Sequence, residues 1–196
     1  GARAVRAEII MGAGQLSITS GVAQLARMRF HYDSPAWKPD LSYTVERAEG
    51  ALTLRQPRTS SADWGQTGQR NNWEIAFNES IPLDLAVTLG AGESDLDVGR
   101  LNLTRLEVTT GAGKMQLNLV GARQRDLYVS VKGGVGELSV DLPADVGVVV
   151  DVQAGLGSVE VQGLVRKGLA YVNEAYGQSS VTLHLSVQGG VGNEPR

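Results

Sequence analysis

Leu85-Ala86-Val87-Thr88-Leu89-Gly90-Ala91-Gly92-Glu93-Ser94-Asp95-Leu96 sets the pattern for the whole chain. Apolar residues alternate with polar or small ones up to a Gly-x-Gly element, and alternation resumes beyond it. The element recurs as MGAGQLSIT, TGAGKMQLNL, GGVGELSVDL, AGLGSVEV and a terminal GGVG, with first glycines at Gly12, Gly111, Gly134, Gly155 and Gly190. From Gly90 to Gly155 the successive spacings are 21, 23 and 21 residues. Ala48-Glu49-Gly50 reads as a seventh copy.

Aligned on the first glycine, the residue three places earlier is Ile9, Val45, Val87, Val108, Val131, Val152 or Val187, β-branched in every copy. Two places further back stand Ala7, Tyr43, Leu85, Leu106, Val129, Val150 and Leu185. Six residues beyond the glycine lie Ile18, Leu54, Leu96, Leu117, Val140 and Val161. The positions between are mostly polar, so the period is two on both flanks and each strand has one buried and one wet face. Glycines at the corner allow backbone angles that a Cβ penalises and leave room for a neighbouring layer.

A single unit of this kind cannot cover its own apolar face, so the units must stack and share an interior. The fold expected is therefore all-β, a β-solenoid or β-helix-like stack of two-strand Gly-x-Gly units in which consecutive copies lie in register. The alternative is an antiparallel β-sandwich, which also reads as short alternating strands between turns. One domain over 1–196 is expected, with irregular loops near 33–40, 57–72 and 163–180. Hydrophobic residues make up 42% of the 196, enough for a continuous core, and aromatics only 5%, so aliphatic side chains must fill it.

Composition also narrows function. A formal net charge of −3 offers no basic excess for a phosphate backbone, which argues against nucleic acid as a partner. Cysteine is absent, removing disulfides, thiolate metal sites and thiol nucleophiles. His31 and His184, the two histidines, sit at outward positions of alternating stretches and read as surface residues rather than bases. The Gly-x-Gly elements lead into strands, not helices, so no helix N-terminus awaits a phosphate. Asp95 and Asp97 share one strand face, but the next copies carry Gln116 and Asn118, so no repeated acidic cage forms. No catalytic residue, metal or cofactor is expected.

Ligand binding is expected on the irregular loops, because loops on a rigid scaffold carry specificity. The aromatic candidates there are Trp37, Trp64, Tyr171 and Tyr176. Trp37, Trp64 and Trp73 together could make a stacking platform; alternatively, Trp37 and Trp73 cap the open ends of the apolar stack. Asp84, Arg105, Tyr128 and His184 share the column six residues before the glycine and form a mixed polar stripe. That stripe is where a polysaccharide-binding or polysaccharide-acting groove would lie. Uncapped solenoid ends would also offer backbone groups to another copy, which makes a homo-oligomer a third expectation.

The chain resembles the bacterial toast-rack domains and, more distantly, the families named "putative adhesin" that share Gly-rich β-solenoid repeats. The likeness is carried by Asn72-Trp73 through Ile81-Pro82-Leu83-Asp84-Leu85, by Leu89-Gly90-Ala91-Gly92, by Thr110-Gly111-Ala112-Gly113, by Leu142-Pro143-Ala144-Asp145-Val146-Gly147-Val148 and by Ala154-Gly155-Leu156-Gly157-Ser158. Trp37-Lys38-Pro39 with Tyr43 looks like the family's first half. The resemblance implies a non-enzymatic module outside the cytoplasmic membrane of a bacterium, adhesin-like, sensory or structural. Its implied partners are a cell-envelope protein or a glycan, with membrane attachment only through an anchor outside these residues. It implies no catalytic residues.

Overall fold

The structure is a computed structural model that describes residues 1–57, 70–159 and 162–194, without the side chains of 154–159 and 190–194. Apart from one 3-10 turn it is built of strands, joined in a single twelve-stranded sheet. Four long strands carry the pattern read from the sequence: β1 (Ala4–Ser20), β6 (Leu83–Asp97), β7 (Leu103–Asn118) and β8 (Leu127–Asp141). Each continues without a break through its Gly-x-Gly element and pairs parallel with its neighbours. The register matches glycine to glycine: Gly14 with Gly92, Gly92 with Gly113, and Gly113 with Gly136. This parallel, in-register stacking rules out the antiparallel sandwich.

Burial shows how one strand makes two arms. In β1 the buried residues before the glycines are Val5, Ala7, Ile9 and Met11, at odd positions; after them they are Leu16 and Ile18, at even ones. A straight strand would keep one parity. The alternation slips by one residue across Gly12-Ala13-Gly14, so the strand bends there and both arms keep their apolar side chains in the same interior. The return segments close the remaining side: Val98, Leu101 and Leu119 are buried, and Val98 N–H donates to Asn118 O of the next layer (3.1 Å).

The glycines are dictated by spacing between layers. A Cβ placed on Gly92, Gly113 or Gly136 would stand 1.9, 1.8 or 1.8 Å from the carbonyl oxygen of Gly14, Gly92 or Gly113 respectively. The backbone φ at the three is +127°, +133° and +145°, conformations that side-chain-bearing residues rarely adopt. Along the interior, Ile9, Val87, Val108, Val131 and Val187 form one column of buried side chains. Each contributes roughly 1.5–3 kcal/mol gross by leaving water.

The layers do not follow sequence order. β12 (Thr182–Glu194) lies between β8 and β9 (Gly147–Val159), parallel to both, with Val187 level with Val131 and Val152. At the other side β1 separates β6 from the first segments of the chain to follow it. The expectation that consecutive copies pile up therefore holds for β6, β7 and β8 and fails at both flanks. Column matching reports which residues share a level; it carries no information on which layers touch. Val152 is half-buried rather than enclosed, and Val161 lies outside the described residues.

The seventh copy is also corrected. β3 (Asp40–Glu46) and β4 (Glu49–Arg55) form an antiparallel hairpin whose turn places Arg47 and Ala48 at φ +49° and +67°. Tyr43 and Val45 are exposed rather than core. Hairpin strands alternate with the same period as layered ones, which is why the sequence alone reads as another corner. The layer beside β1 is split instead: β4 pairs with its first arm and β5 (Asn71–Phe77) with its second. Two buried amides replace the missing corner. Gln56 Oε1 accepts from Gly12 N (2.9 Å) and Ala13 N (3.3 Å), and Asn71 Nδ2 donates to Ala13 O (2.8 Å).

A terminal layer completes that end. β2 (Ala26–Tyr32) lies antiparallel on β5 and β3 antiparallel on β4, joined through the 3-10 turn Pro35–Trp37 within the loop expected at 33–40. At the opposite end the stretch expected to be an irregular loop at 163–180 contains a second hairpin, β10 (Val165–Lys167) and β11 (Ala170–Val172). β11 pairs with β9 at Val149 and Val150. Buried Asn173 fixes this excursion: its Oδ1 accepts from Val148 N (2.9 Å) and its Nδ2 donates to Val146 O (2.7 Å). Most of the loop expected at 57–72 lies outside the described residues.

Candidate functional site

The loop aromatics are dispersed. Trp37 is 2% exposed, so its ring offers no platform to a ligand. Trp73 is buried as well, its Nε1 donating to Asn71 Oδ1 (3.1 Å) and its ring meeting Phe30 edge-on at 5.6 Å. Trp73 belongs to the core at that end of the stack. Trp64 lies outside the described residues. At the other end Tyr171 packs partly against the core, and Tyr176 is at the surface with the Lys167 ammonium 5.6 Å from its ring centroid. The structure does not bring Trp37, Tyr171 and Tyr176 to one place.

It does bring the mixed stripe together. Outward positions of the first arms of β1, β6, β7, β8 and β12 set Arg6, Asp84, Arg105, Tyr128 and His184 level with one another in successive layers. Tyr128 and His184 stack face to face, with centroids 4.6 Å apart and planes 8° from parallel. Tyr128 is nevertheless 60% exposed. The pairing exists because β12 enters beside β8; with layers in sequence order Val149 would occupy that level instead. The column alignment contained the signal, but the layer order needed to read it was missing.

Around these rings lies a groove of about 570 Å³, lined by Arg105, Glu107, Tyr128, Ser130, Asp151 and His184 with neighbouring backbone. Arg105 donates from Nη2 to Glu107 Oε1, and this hydrogen bond, reinforced by the Glu107 charge, raises the guanidinium above its ordinary value. Arg105 thus stands at the groove wall as a cation paired with Glu107. Asp84 is already engaged: Arg6 Nε and Nη2 both donate to its Oδ2, at 3.1 and 3.0 Å. The groove thus presents a phenol, an imidazole, a guanidinium, two carboxylates and the hydroxyl residues Thr104, Ser130 and Ser186. Among the described residues no cluster of three or more histidine, aspartate and glutamate side chains could hold a metal ion.

Residues 1–141 match the model of the family described as "N-terminal domain of toast_rack, DUF2154". The chain belongs to this toast-rack family. The match ends at Asp141, the last residue of β8. A crystal structure described as a "putative cell adhesion protein" from Clostridium sporogenes is similar over 99% of this chain and 92% of its own, with 31% identity and a TM-score of 0.92. The likeness to it thus extends through β12 and β9. A "putative adhesin" from Bacteroides fragilis aligns at 8% identity with a TM-score of 0.20, too low to carry an argument. No curated protein matches the chain.

Proposed function

We propose that this toast-rack chain is a non-enzymatic, adhesin-like recognition module on the outer side of a bacterial cell envelope, and that it binds a glycan along the outer groove. The observation that carries the reading is the exposed Tyr128–His184 stack held at the middle of a rigid sheet. Sugar hydroxyls are met by planar polar side chains in fixed positions, and apolar sugar faces by aromatic rings; the groove supplies both. The adhesion description of the Clostridium sporogenes structure supports the class of role. The pairing of Asp84 with Arg6 and of Glu107 with Arg105 supports a binding rather than an acid–base use of the carboxylates.

A glycan array followed by calorimetry tests this. Binding is expected that Tyr128→Ala and His184→Ala each weaken, with the melting temperature nearly unchanged because both side chains lie on the outer face. No bound glycan on arrays of bacterial and host structures would defeat the reading. Loss on Tyr176→Ala but not on Tyr128→Ala would move the site to the β10–β11 hairpin.

A further inference from the structure

We infer that two copies of this chain join end to end in an isologous dimer, with β3 of each copy pairing antiparallel with β2 of the other. The terminal layer made by β2 and β3 carries an apolar stripe in the open. Leu41, Tyr43 and Val45 stand 56%, 44% and 46% exposed on one face of β3, and that face is the inner one. Their partners across the hairpin are Leu54, Leu52 and Gly50, of which both leucines are buried in the core. Tyr43 lies against Gly50, where an added Cβ would come within 2.9 Å of its hydroxyl. The interior ladder thus continues one layer past the point where the described residues cover it. On the facing arm, Met28 and Phe30 of β2 continue it as partly buried residues packed against the core. Among the described residues neither β3 nor β2 has a strand on its outer edge. An edge strand with an apolar inner face and unpaired backbone groups is a template for another strand.

Charge selects the occupant. The outward residues of β3 include Asp40 and Glu46 and no base; those of β2 are Arg27, Arg29 and His31, with no acid. A two-fold axis perpendicular to the stack and running from corner to mouth exchanges the two arms. It therefore lays the acidic strand of one copy along the basic strand of the other, twice. Direction agrees as well. β2 runs toward the corner and β3 away from it, so the apposed strands are antiparallel, with Asp40 near the corner beside the His31–Arg29 end and Thr44 and Glu46 toward Arg27. The hairpin β10–β11 occupies the first arm of the opposite end. A two-fold joint uses the β2–β3 end of both copies at once, so this contact closes on itself.

Sedimentation over a concentration series tests the proposal on the full chain, with a reversible monomer–dimer equilibrium expected. Arg27→Glu with Arg29→Glu should weaken it roughly tenfold, and adding Asp40→Lys with Glu46→Lys should restore it; all four positions face outward, so circular dichroism should not change. The chain has no cysteine, which allows a second readout: mixing Thr44→Cys with Arg27→Cys copies should give a covalent heterodimer under oxidation, whereas Thr44→Cys alone should give little. A monomer at every concentration overturns the inference, and so does cross-linking of Thr44→Cys alone as readily as the mixture, which would mean β3 on β3. Failure of the charge swap to restore association would equally remove the basis for this arrangement.

Discussion

Replacing Gly113 by alanine adds one carbon and two hydrogens, yet it should be among the most damaging small changes this chain can take. The new Cβ would sit 1.8 Å from Gly92 O, 2.8 Å from Gly92 C and 3.1 Å from Gly92 N, all backbone of the adjacent layer. No side-chain rotation relieves that overlap; two layers must move apart. Overpacking of this kind costs about 1–3 kcal/mol, and holding alanine at φ +133° adds about 1–2 kcal/mol. The sum, about 2–5 kcal/mol, is a large share of the roughly 5–15 kcal/mol that holds a domain folded. With a urea slope near 2 kcal/mol/M the midpoint should fall by roughly 1–2.5 M. Gly168→Ala is the control: φ there is +68° but nothing stands within 4 Å of the added Cβ, so only the conformational cost of about 1 kcal/mol applies. Urea titrations followed by the fluorescence of buried Trp73 separate the two. Equal midpoint losses for Gly113→Ala and Gly168→Ala would refute the claim that layer spacing, not local conformation, requires the glycine column.

Val108→Asp should abolish folding, because it leaves an unpaired carboxylate in the interior ladder at a cost of several kcal/mol, while Thr109→Asp, one residue on and facing solvent, should change stability by less than about 0.5 kcal/mol; circular dichroism of the pair checks the assignment of faces. Gln56→Ala removes the acceptor for two corner N–H groups and should cost roughly 2–4 kcal/mol in chemical denaturation, with Gln56→Glu partly retaining the contact. The carboxylate of Asp33 accepts from Arg70 N (2.9 Å) and Arg70 Nη2 (3.3 Å), and these bonds lower its pKa below 3.8. A depressed carboxylate stabilises the fold fully above its unfolded value and loses that contribution as pH falls through the folded one. Exchange of the Arg70 amide should therefore stay slow through mildly acidic pH and accelerate only below the usual carboxylate range, an effect Asp33→Asn should remove.

The stack itself was legible because three properties coincide at each level: a β-branched inward residue, a parity slip and a glycine that cannot carry a Cβ. Val87, Val108, Val131 and Val187 could be aligned with no knowledge of the structure, and all four are core. What the pattern could not reveal was adjacency. Parallel strands of like character are interchangeable partners as far as periodicity goes, so nothing in Thr182–Glu194 tells that it inserts between β8 and β9. The hairpin at β3–β4 misled for the related reason that Tyr43 and Val45 obey the alternation without having a neighbour to bury them. The candidate groove shared this fate: its residues occupied one column in the sequence, but the contact of Tyr128 with His184 depends on a layer order set by long-range pairing. Trp37 is a different case, since a loop tryptophan reads alike whether its ring is open to a ligand or, as here, buried.

The insertion of β12 has a bearing on biosynthesis. A solenoid threaded in sequence order can be completed coil by coil as it leaves the ribosome or a translocation pore. Here β8 and β9 are separated by a strand made after both, so β9 and the β10–β11 hairpin that follows it have no permanent place until Thr182–Glu194 has emerged. Closure is then a late, long-range event, of the sort that slows acquisition of the native state and leaves sticky edges open meanwhile. Chains that stall before that point would carry β8 with one side bare.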